Sequence, residues 1–422
     1  MHFASKKLKA SSLYLAIFLA LIVTLLVTGF ITWKQLSVNE SFIYQQHQKL
    51  NDDILSAKNI ILSDVDVIGS TLETQLDLYN NGESIVNVLQ KQWGVYAYLQ
   101  LSTSWKNITK TYRGLYGSSV KRNNLPGLYL ADQGRYLVVG GRTKLTGTCY
   151  LPSLGIKSAT IEAEPYRYDK LVYGKEEVSS GEVPPLSQNL ISYLKKFFSD
   201  ETMGDSLVLF SELKATELNC AFTDKTMHIV QDESFELDGI EARGNILFSS
   251  NESIYIRKNA QLEDVICSAR RIYVEKGFSG NCQLIASDTI LIDKNVTLSY
   301  PSAVVLYAAG HSNGLIVIET NTVVQGTVIL CPEIKTENNS EIQLKGSNQF
   351  YGVVYADGAI ENAINVQGAL FCNRFKMQTR RGRYVNHLLH AEIGSEGLVK
   401  EFSAGILFSD KRQGNMITIL KD

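Results

Sequence analysis

The sequence predicts a mainly β protein, in which a single N-terminal transmembrane helix and stalk precede a parallel β-solenoid with triangular 18-residue coils and an inserted α/β segment. Two observations support this prediction. No charged side chain occurs from Ala10 to Trp33, and isoleucine recurs at 18-residue intervals at Ile254, Ile272 and Ile290. The 21 tyrosines, together with many valines and isoleucines, also favour strands over helices.

Composition excludes some classes of protein. The net charge of −2 and the pI near 6.4 argue against nucleic acid as a partner, because nucleic-acid-binding domains carry a clear basic excess. The six cysteines contain no close C-x-x-C pair, so the sequence predicts no zinc site. Several lie in apolar runs, which predicts buried free thiols. They are Cys149, Cys220, Cys267, Cys282, Cys331 and Cys372.

Residues 1–33 are predicted to form a cytoplasmic tip and a transmembrane anchor. About 20 apolar residues span a bilayer, and Ala10 to Trp33 provide that length. Lys6, Lys7 and Lys9 precede the apolar run, which places the N-terminus in the cytoplasm and the bulk of the chain outside it. A cleaved secretory signal is the alternative, but it has a shorter apolar region and a small-residue cleavage site.

The next two regions are predicted from their periodicity. Residues 34–80 show helical spacing and are expected to form a stalk, whereas residues 81–136 alternate and carry aromatic side chains typical of strands. The apolar positions of the stalk are Ile43, Leu50, Ile54, Ile61, Val65, Ile68 and Leu72.

A six-residue period begins at Leu137. Apolar or small residues recur as pairs separated by one residue, and Gly141 and Gly147 mark corners between the first pairs. The pairs are Leu137/Val139, Thr143/Leu145 and Cys149/Leu151, then Ile254/Ile256, Ala260/Leu262, Ile266/Ser268, Ile272/Val274, Phe278/Gly280, Leu284/Ala286, Ile290/Ile292, Val296/Leu298 and Ser302/Val304.

This period predicts the coil geometry. Two inward residues around one outward residue make a short strand, since side chains alternate along an extended chain. Three such strands make one triangular 18-residue coil, and positions one period apart stack on neighbouring coils. The corners need residues that tolerate a positive φ, which Asn259, Gly277 and Asn295 do. The pattern continues after a longer step of 26 residues from Ile290. Ile316 and Ile318 are there expected to face inward, and Asn321 to form the corner.

The remaining boundaries follow from where the period holds. Residues 137–235 are predicted to contain the first six-residue repeats and an insertion with a short amphipathic helix, on which Leu190, Leu194 and Phe197 share a face. Residues 236–380 are predicted to form the parallel solenoid, with further coils at 341–346, 352–360 and 364–377. Residues 381–422 are expected to form a C-terminal cap or tail.

No catalytic, cofactor or metal site is predicted, although several residues invite comparison with known chemistry. His311 lies in a loop that breaks the period, where a general base is conceivable, yet a lone histidine beside glycine is usually solvated. Carboxylate pairs for sugar cleavage are the second candidate. They are Asp288 with Asp293 and Glu263 with Asp264. Acidic residues at such outward positions more often lie on the solvent-exposed surface without a catalytic role.

Three further groups are weighed in the same way. His387, His390 and Glu392 offer metal ligands without an HExxH motif. Lys258, Lys276 and Lys294 form a ladder that suits a polyanion, but residues of mixed charge flank them. Outward tyrosines Tyr255 and Tyr273 suit a polysaccharide.

Two segments resemble known families. KKLKASSLYLAIFLALIVTLLVTGFI is similar to the N-terminus of PilX-type pilus assembly proteins, and FYGVVYADGAIENAINVQGALFCNRFKM resembles their C-terminal solenoid end. The matching positions there are Gly352, Tyr355, Ala356, Gly368 and Ala369, with Tyr384 and Leu388 in the tail. The 18-residue coils also resemble bactofilins. The chain departs from type IV prepilins at Leu15, where these carry glutamate.

These observations predict a non-enzymatic, inner-membrane, single-pass protein of a bacterial cell envelope. The resemblance implies an accessory subunit of a pilus-like assembly, with self-association or pilin-like partners. A polysaccharide-binding module is the alternative, and an envelope glycan- or acyl-modifying enzyme is the third hypothesis.

Overall fold

The structure, a computed structural model, describes residues 10–80, 82–121, 123–199, 206–310, 313–335, 338–362, 364–380, 382–394, 396–408 and 412–419. The prediction of a mainly β chain with one long apolar N-terminal helix is confirmed. The helices are α1 (Ala10–Ser63), α2 (Gln188–Lys196) and a 3-10 helix (Phe210–Glu212). The chain divides into two compact units.

The strands are, in chain order, β1 (Thr71–Asp77), β2 (Ile85–Trp93), β3 (Tyr96–Trp105), β4 (Ile108–Ser119), β5 (Leu128–Leu130), β6 (Leu137–Gly140), β7 (Lys144–Leu145), β8 (Cys149–Leu151), β9 (Ile156–Ser158), β10 (Glu176–Val178), β11 (Ser206–Leu209), β12 (Glu217–Cys220), β13 (Met227–Gln231), β14 (Phe235–Leu237) and β15 (Glu241–Gly244). They continue with β16 (Ile246–Ile256), β17 (Gln261–Val274), β18 (Ser279–Ile292), β19 (Thr297–Ala308), β20 (Leu315–Ile318), β21 (Val323–Pro332), β22 (Glu341–Leu344), β23 (Gln349–Glu361), β24 (Asn365–Thr379), β25 (Gly382–Val385), β26 (His387–Leu389), β27 (Glu392–Gly394), β28 (Ser403–Ala404) and β29 (Gly414–Ile419).

The first unit comprises Met1–Lys58, Gln75–Asn87 and Leu101–Thr111. Helix α1 dominates it, and an 18-residue window of this helix has a mean hydropathy of 2.6 with none of its residues buried. In the described part of the chain, α1 is the one helix that is long and apolar enough to cross a membrane. Beyond the apolar run, Leu50, Ile54 and Ala57 are buried, so the helix gains a packed face.

The helix ends earlier than the predicted boundary at residue 80. It stops at Ser63, and residues Thr71–Asp77 form strand β1. Two features explain the difference. Asp66 accepts a hydrogen bond from the backbone N–H of Val67 at 2.7 Å, and Gly69 adopts a φ of 71°, neither of which suits a continuing helix.

The second unit comprises Asn59–Thr74, Val88–Gln100 and Tyr112–Asp422. Most of its strands pair in parallel, and the pairing preserves the repeat seen in the sequence. Ile254 is the register partner of Ile272, which is the partner of Ile290. Ile290 then pairs with Ile316, as the 26-residue step predicts.

The buried apolar side chains of these strands form one continuous core. It extends from Leu218 through the 18-residue repeats to Ile393, and all predicted apolar members of the pairs between Leu137 and Leu151 join it. The predicted corner residues Gly277 and Asn295 have φ values of 79° and 58°, and Asn321 follows at 61°. Asn259 is not among the described residues with a positive φ.

One predicted pair is wrong. Ile266 and Ser268 were expected to face inward, but Val265, Cys267 and Ala269 belong to the core instead. The register between β17 and β18 shifts between Glu263 and Val265, and Asp264 between them has a φ of 58°. A bulge of one residue moves the side chains that follow it to the opposite face of the strand, and a second shift between Ala269 and Arg271 returns Ile272 and Val274 to the core.

The position of the short strands β5, β8 and β10 in the sheet is one that the sequence does not predict. Leu128–Leu130 pair in parallel with Leu370–Cys372 of β24, so the N-terminal strands extend the stack beyond its C-terminal strands. Strand β8 then pairs with β5, and β10 pairs with β8. The predicted helix within the insertion is α2, which buries Leu190, Tyr193 and Leu194.

All six cysteines are buried and unpaired, as the sequence predicts. Burial raises the pKa of Cys149, Cys282 and Cys331 to about 12, and it also raises the pKa of Cys220, Cys267 and Cys372. Their thiols therefore stay protonated near neutral pH and behave as small apolar side chains.

Candidate functional site

Four aromatic side chains follow one another across adjacent strands of the second unit. Tyr355 is the register partner of Phe371, Phe371 of Tyr129, and Tyr129 of Tyr150. Each occupies the middle of a triplet whose flanking residues are small or apolar. Because the flanking residues enter the core, the aromatic residue between them points to the outer face of the strand. We call these four residues the aromatic ladder.

Neighbouring rings of the ladder are in contact: Phe371 stacks on Tyr129 and Tyr129 on Tyr150, whereas the Tyr355 ring is tilted against that of Phe371. The ring centroids lie 6.1 Å apart for Tyr355 and Phe371, 6.0 Å for Phe371 and Tyr129, and 5.3 Å for Tyr129 and Tyr150. The next register partner after Tyr150 is Glu177 on β10, so the stack of rings ends at Tyr150. Among the described residues, no second ring stacks on Tyr150.

Three residues of the ladder, Tyr129, Tyr150 and Phe371, line an open cleft of about 710 Å³. Phe408 forms one wall, with its ring 5.4 Å from that of Phe371, and the guanidinium of Arg412 lies 5.2 Å from the Phe408 ring. Aromatic, proline and charged side chains therefore share the lining. Its residues are Asn124, Leu125, Pro126, Tyr129, Thr148, Tyr150, Lys175, Glu177, Pro184, Pro185, Leu186, Gln188, Phe371, Phe408 and Arg412.

The ladder's hydroxyl groups fix the loop that forms the other wall. The Tyr355 hydroxyl donates to the carbonyl oxygen of Pro184 at 3.0 Å. The Tyr129 hydroxyl accepts from the backbone N–H of Ser180 at 3.0 Å. Burial raises the pKa of Tyr355, so its hydroxyl remains a donor over the physiological pH range. The wall is thus held by hydrogen bonds that originate from the ladder itself.

A second cleft, of about 520 Å³, contains one of the two carboxylate pairs that were weighed for sugar cleavage. Glu263 and Asp264 line it together with Arg243, whose Nε lies 3.5 Å from Glu263 Oε2. The Tyr98 and Phe222 rings stack at 5.3 Å on the same lining. The cleft therefore combines a stacked aromatic pair with charges of both signs.

Asp264 is held at the bulge by its backbone. Its N–H donates to Asn281 Oδ1, and its carbonyl accepts from Trp93 Nε1 at 2.9 Å. Burial raises the pKa of the Asp264 carboxyl to about 6; the negative charge of Glu263 adds to this rise, and a hydrogen bond from Asn281 opposes it. Near pH 6 this carboxyl is therefore protonated in a fraction of the molecules.

The other carboxylate pair that was weighed does not line either cleft. Asp288 forms an ion pair with Arg270 at 3.4 Å, and Asp293 accepts from the backbone N–H of Lys294 at 2.6 Å. Each carboxylate is thereby engaged with its own neighbour. In neither of the two clefts described above could both carboxylates contact one substrate.

The side chains that were weighed as metal ligands are engaged in local contacts. His387 Nδ1 lies 2.8 Å from the carbonyl oxygen of Val385, and His390 Nδ1 accepts from the backbone N–H of Arg142 at 3.2 Å. The backbone N–H of Glu392 donates to Asn365 at 3.0 Å. No group of three or more metal-ligating side chains occurs among the described residues, and His311 lies outside them.

The two remaining candidates lie on the surface of the repeats. Lys258, Lys276 and Lys294 are all exposed. The Tyr255 and Tyr273 rings stack at 4.9 Å with planes 10° apart, and the Arg257 guanidinium lies 5.6 Å from the Tyr255 ring. Neither tyrosine lines the two clefts described above, so the pair forms an isolated stack on a strand face.

Sequence reasoning missed the aromatic ladder. A local signal for it exists, because the triplets LYL, CYL, VYA and LFC each place an aromatic residue between two smaller apolar ones. The triplets around Tyr129 and Phe371 are far apart in the chain, however, and only the pairing of β5 with β24 brings them together.

Comparison with protein-family models, with curated proteins and with solved structures gave no match to this chain.

Proposed function

We propose that this chain is a membrane-anchored, non-enzymatic scaffold of the bacterial cell envelope. In this proposal the parallel strands form a β-solenoid with triangular 18-residue coils, which carries binding surfaces away from the membrane. The observation that supports it is the register of Ile254, Ile272 and Ile290 within one continuous apolar core. Such a core makes a stiff, elongated support out of short repeats.

The anchor is proposed from α1. Its 54 residues correspond to about 80 Å of helix, whereas about 30 Å suffices for the hydrocarbon core of a bilayer. With lysines at positions 6, 7 and 9, the positive-inside tendency puts the N-terminus in the cytoplasm and the second unit on the far side of the inner membrane.

Pilus-like assembly is the more specific form of this proposal. The resemblance of the N-terminal segment to PilX-type proteins supports it, and so does the exposure of apolar side chains beyond the membrane-spanning length, at Leu36, Val38 and Phe42. Exposed apolar surface on a helix is costly in water and suits packing against other helices. An accessory subunit would bury these side chains against neighbouring pilin-like helices.

Fractionation of cells with N-terminal sequencing of the protein tests this proposal. We expect the protein in the membrane fraction with an intact Met1, and the second unit digested by protease added to spheroplasts. A new N-terminus at Ser11, with protein in the pool sheared from the cell surface, would establish the pilin-like form. Protein in the soluble cytoplasmic fraction, protected from external protease, would contradict the proposal.

A further inference from the structure

We propose that the cleft at the end of the aromatic ladder binds a linear polysaccharide, one sugar ring of which stacks on Tyr150. This inference goes beyond the scaffold function, and it concerns a different surface from the Tyr255 and Tyr273 pair. The argument rests on three properties of the cleft: an open ring face, polar groups next to that face, and sufficient volume.

The open ring face follows from the register of the strands. The ladder continues at spacings of 5.3 to 6.1 Å until Tyr150, where the next position is occupied by Glu177 in place of a ring. Tyr150 is only partly buried, whereas Tyr129, Phe371 and Tyr355 are buried. The Tyr150 ring is therefore accessible at the place where it lines the cleft, and a flat ligand of about ring size can lie against it there, with the favourable contact that stacked rings provide.

Polar groups lie beside that place. Lys175 and Glu177 alternate with Glu176 along the same stretch of chain, so both project on the side of Tyr150. In the described part of the chain, neither side chain forms an ion pair. An ammonium and a carboxylate next to a ring face supply donors and acceptors for the hydroxyl groups at the edge of a sugar whose apolar face covers the ring.

The size and lining of the cleft favour a ligand that carries hydroxyl groups. About 710 Å³ lies within the range of about 300–1,000 Å³ that is usual for ligand sites. A lipid chain would bring no hydrogen-bonding groups to the exposed side chains of Lys175 and Glu177, whereas the hydroxyl groups of a sugar would.

The full chain in lipid nanodiscs, titrated calorimetrically with cellohexaose, chitohexaose and maltohexaose in turn, tests the proposal. We expect at least one hexasaccharide to bind. Tyr150→Ala should weaken binding about tenfold or more, because it removes the stacking surface, whereas Tyr150→Phe should retain it. Glu177→Ala, at an exposed position, should weaken binding without affecting the fold. The double variant Tyr255→Ala/Tyr273→Ala is the matched control and should bind like the original chain.

Three results would overturn the proposal. Absence of binding by all three hexasaccharides is the first. Unchanged binding in both Tyr150→Ala and Glu177→Ala is the second. The third is binding of decaproline that depends on Tyr150 while no hexasaccharide binds, which would identify a peptide site. Because the titration uses purified protein, its failure would leave the membrane-anchor proposal standing, and a failed fractionation would leave the cleft proposal standing.

Discussion

Gly352→Ala is expected to lower the free energy of unfolding of the second unit by about 4 kcal/mol or more. Gly326, Gly352 and Gly368 are consecutive register partners, so their backbones stack directly. A Cβ at Gly352 would overlap the carbonyl oxygen of Gly326, and the φ of 132° disfavours any other residue. Because the blocking atoms belong to the backbone of the neighbouring strand, the alanine Cβ can be accommodated only if the two paired strands move apart.

The matched control is Gly277→Asn. Gly277 has a φ of 79° but open space around its Cβ position, and asparagines occupy the equivalent corners at Asn295 and Asn321. Asparagine tolerates this conformation, so we expect a change within about 1 kcal/mol. Chemical denaturation followed by circular dichroism measures both variants. Equal stability of Gly352→Ala and the original chain would refute the stacked arrangement of these glycines.

Asp264→Asn is expected to stabilise the protein at pH 7 and to reduce the dependence of its stability on pH. With a pKa of about 6 when folded against 3.8 for an ordinary aspartate, the folded chain keeps a proton that the unfolded chain has already lost. The free energy of unfolding therefore falls as pH rises from about 4 to 6 and stays lower above that range. A difference of about two pKa units corresponds to about 3 kcal/mol as an upper value.

Asparagine has no proton to lose and tolerates the φ of 58° at this position. Thermal unfolding of both proteins between pH 4 and 8 measures the effect, which should appear as a gap in melting temperature that widens up to about pH 6. Glu263→Gln is the control, since this side chain is 57% exposed and should change the profile less. A melting temperature of Asp264→Asn at pH 7 equal to or below that of the original chain would contradict the prediction.

The repeats were predictable because residues one repeat apart lie in equivalent environments, which select the same type of side chain. Ile254, Ile272 and Ile290 fill equivalent places in the core, so the sequence shows the period directly. The bulge at Asp264 was not predictable in this way. It changes the inward set from Ile266 and Ser268 to Val265 and Cys267, and both sets are compatible with a strand when only local alternation is considered.

The candidate cleft was harder to predict for a different reason. Its ring stack depends on Leu128–Leu130 joining the stack beside β24, which lies far later in the chain. Periodicity describes neighbours in sequence and carries no information on which distant strand closes the stack. The end of the stalk helix was also not predictable. The spacing of apolar residues alone does not show where α1 ends and strand β1 begins.

Paired cysteine substitutions on the outer face of the repeats test the central structural claim most directly. Tyr255 and Tyr273 are register partners, and Tyr273 is the partner of Leu291. Partners on adjacent strands lie about 4.8 Å apart, within the range that a disulfide bridges, whereas two steps exceed it. The six native thiols are buried and should not interfere.

We expect mild oxidation to link Tyr255→Cys with Tyr273→Cys, and Tyr273→Cys with Leu291→Cys, within one chain. The pair Tyr255→Cys with Leu291→Cys should stay reduced. Efficient linkage of positions 255 and 291, or failure of both adjacent pairs, would contradict a stack in which successive parallel strands pair at the 18-residue period.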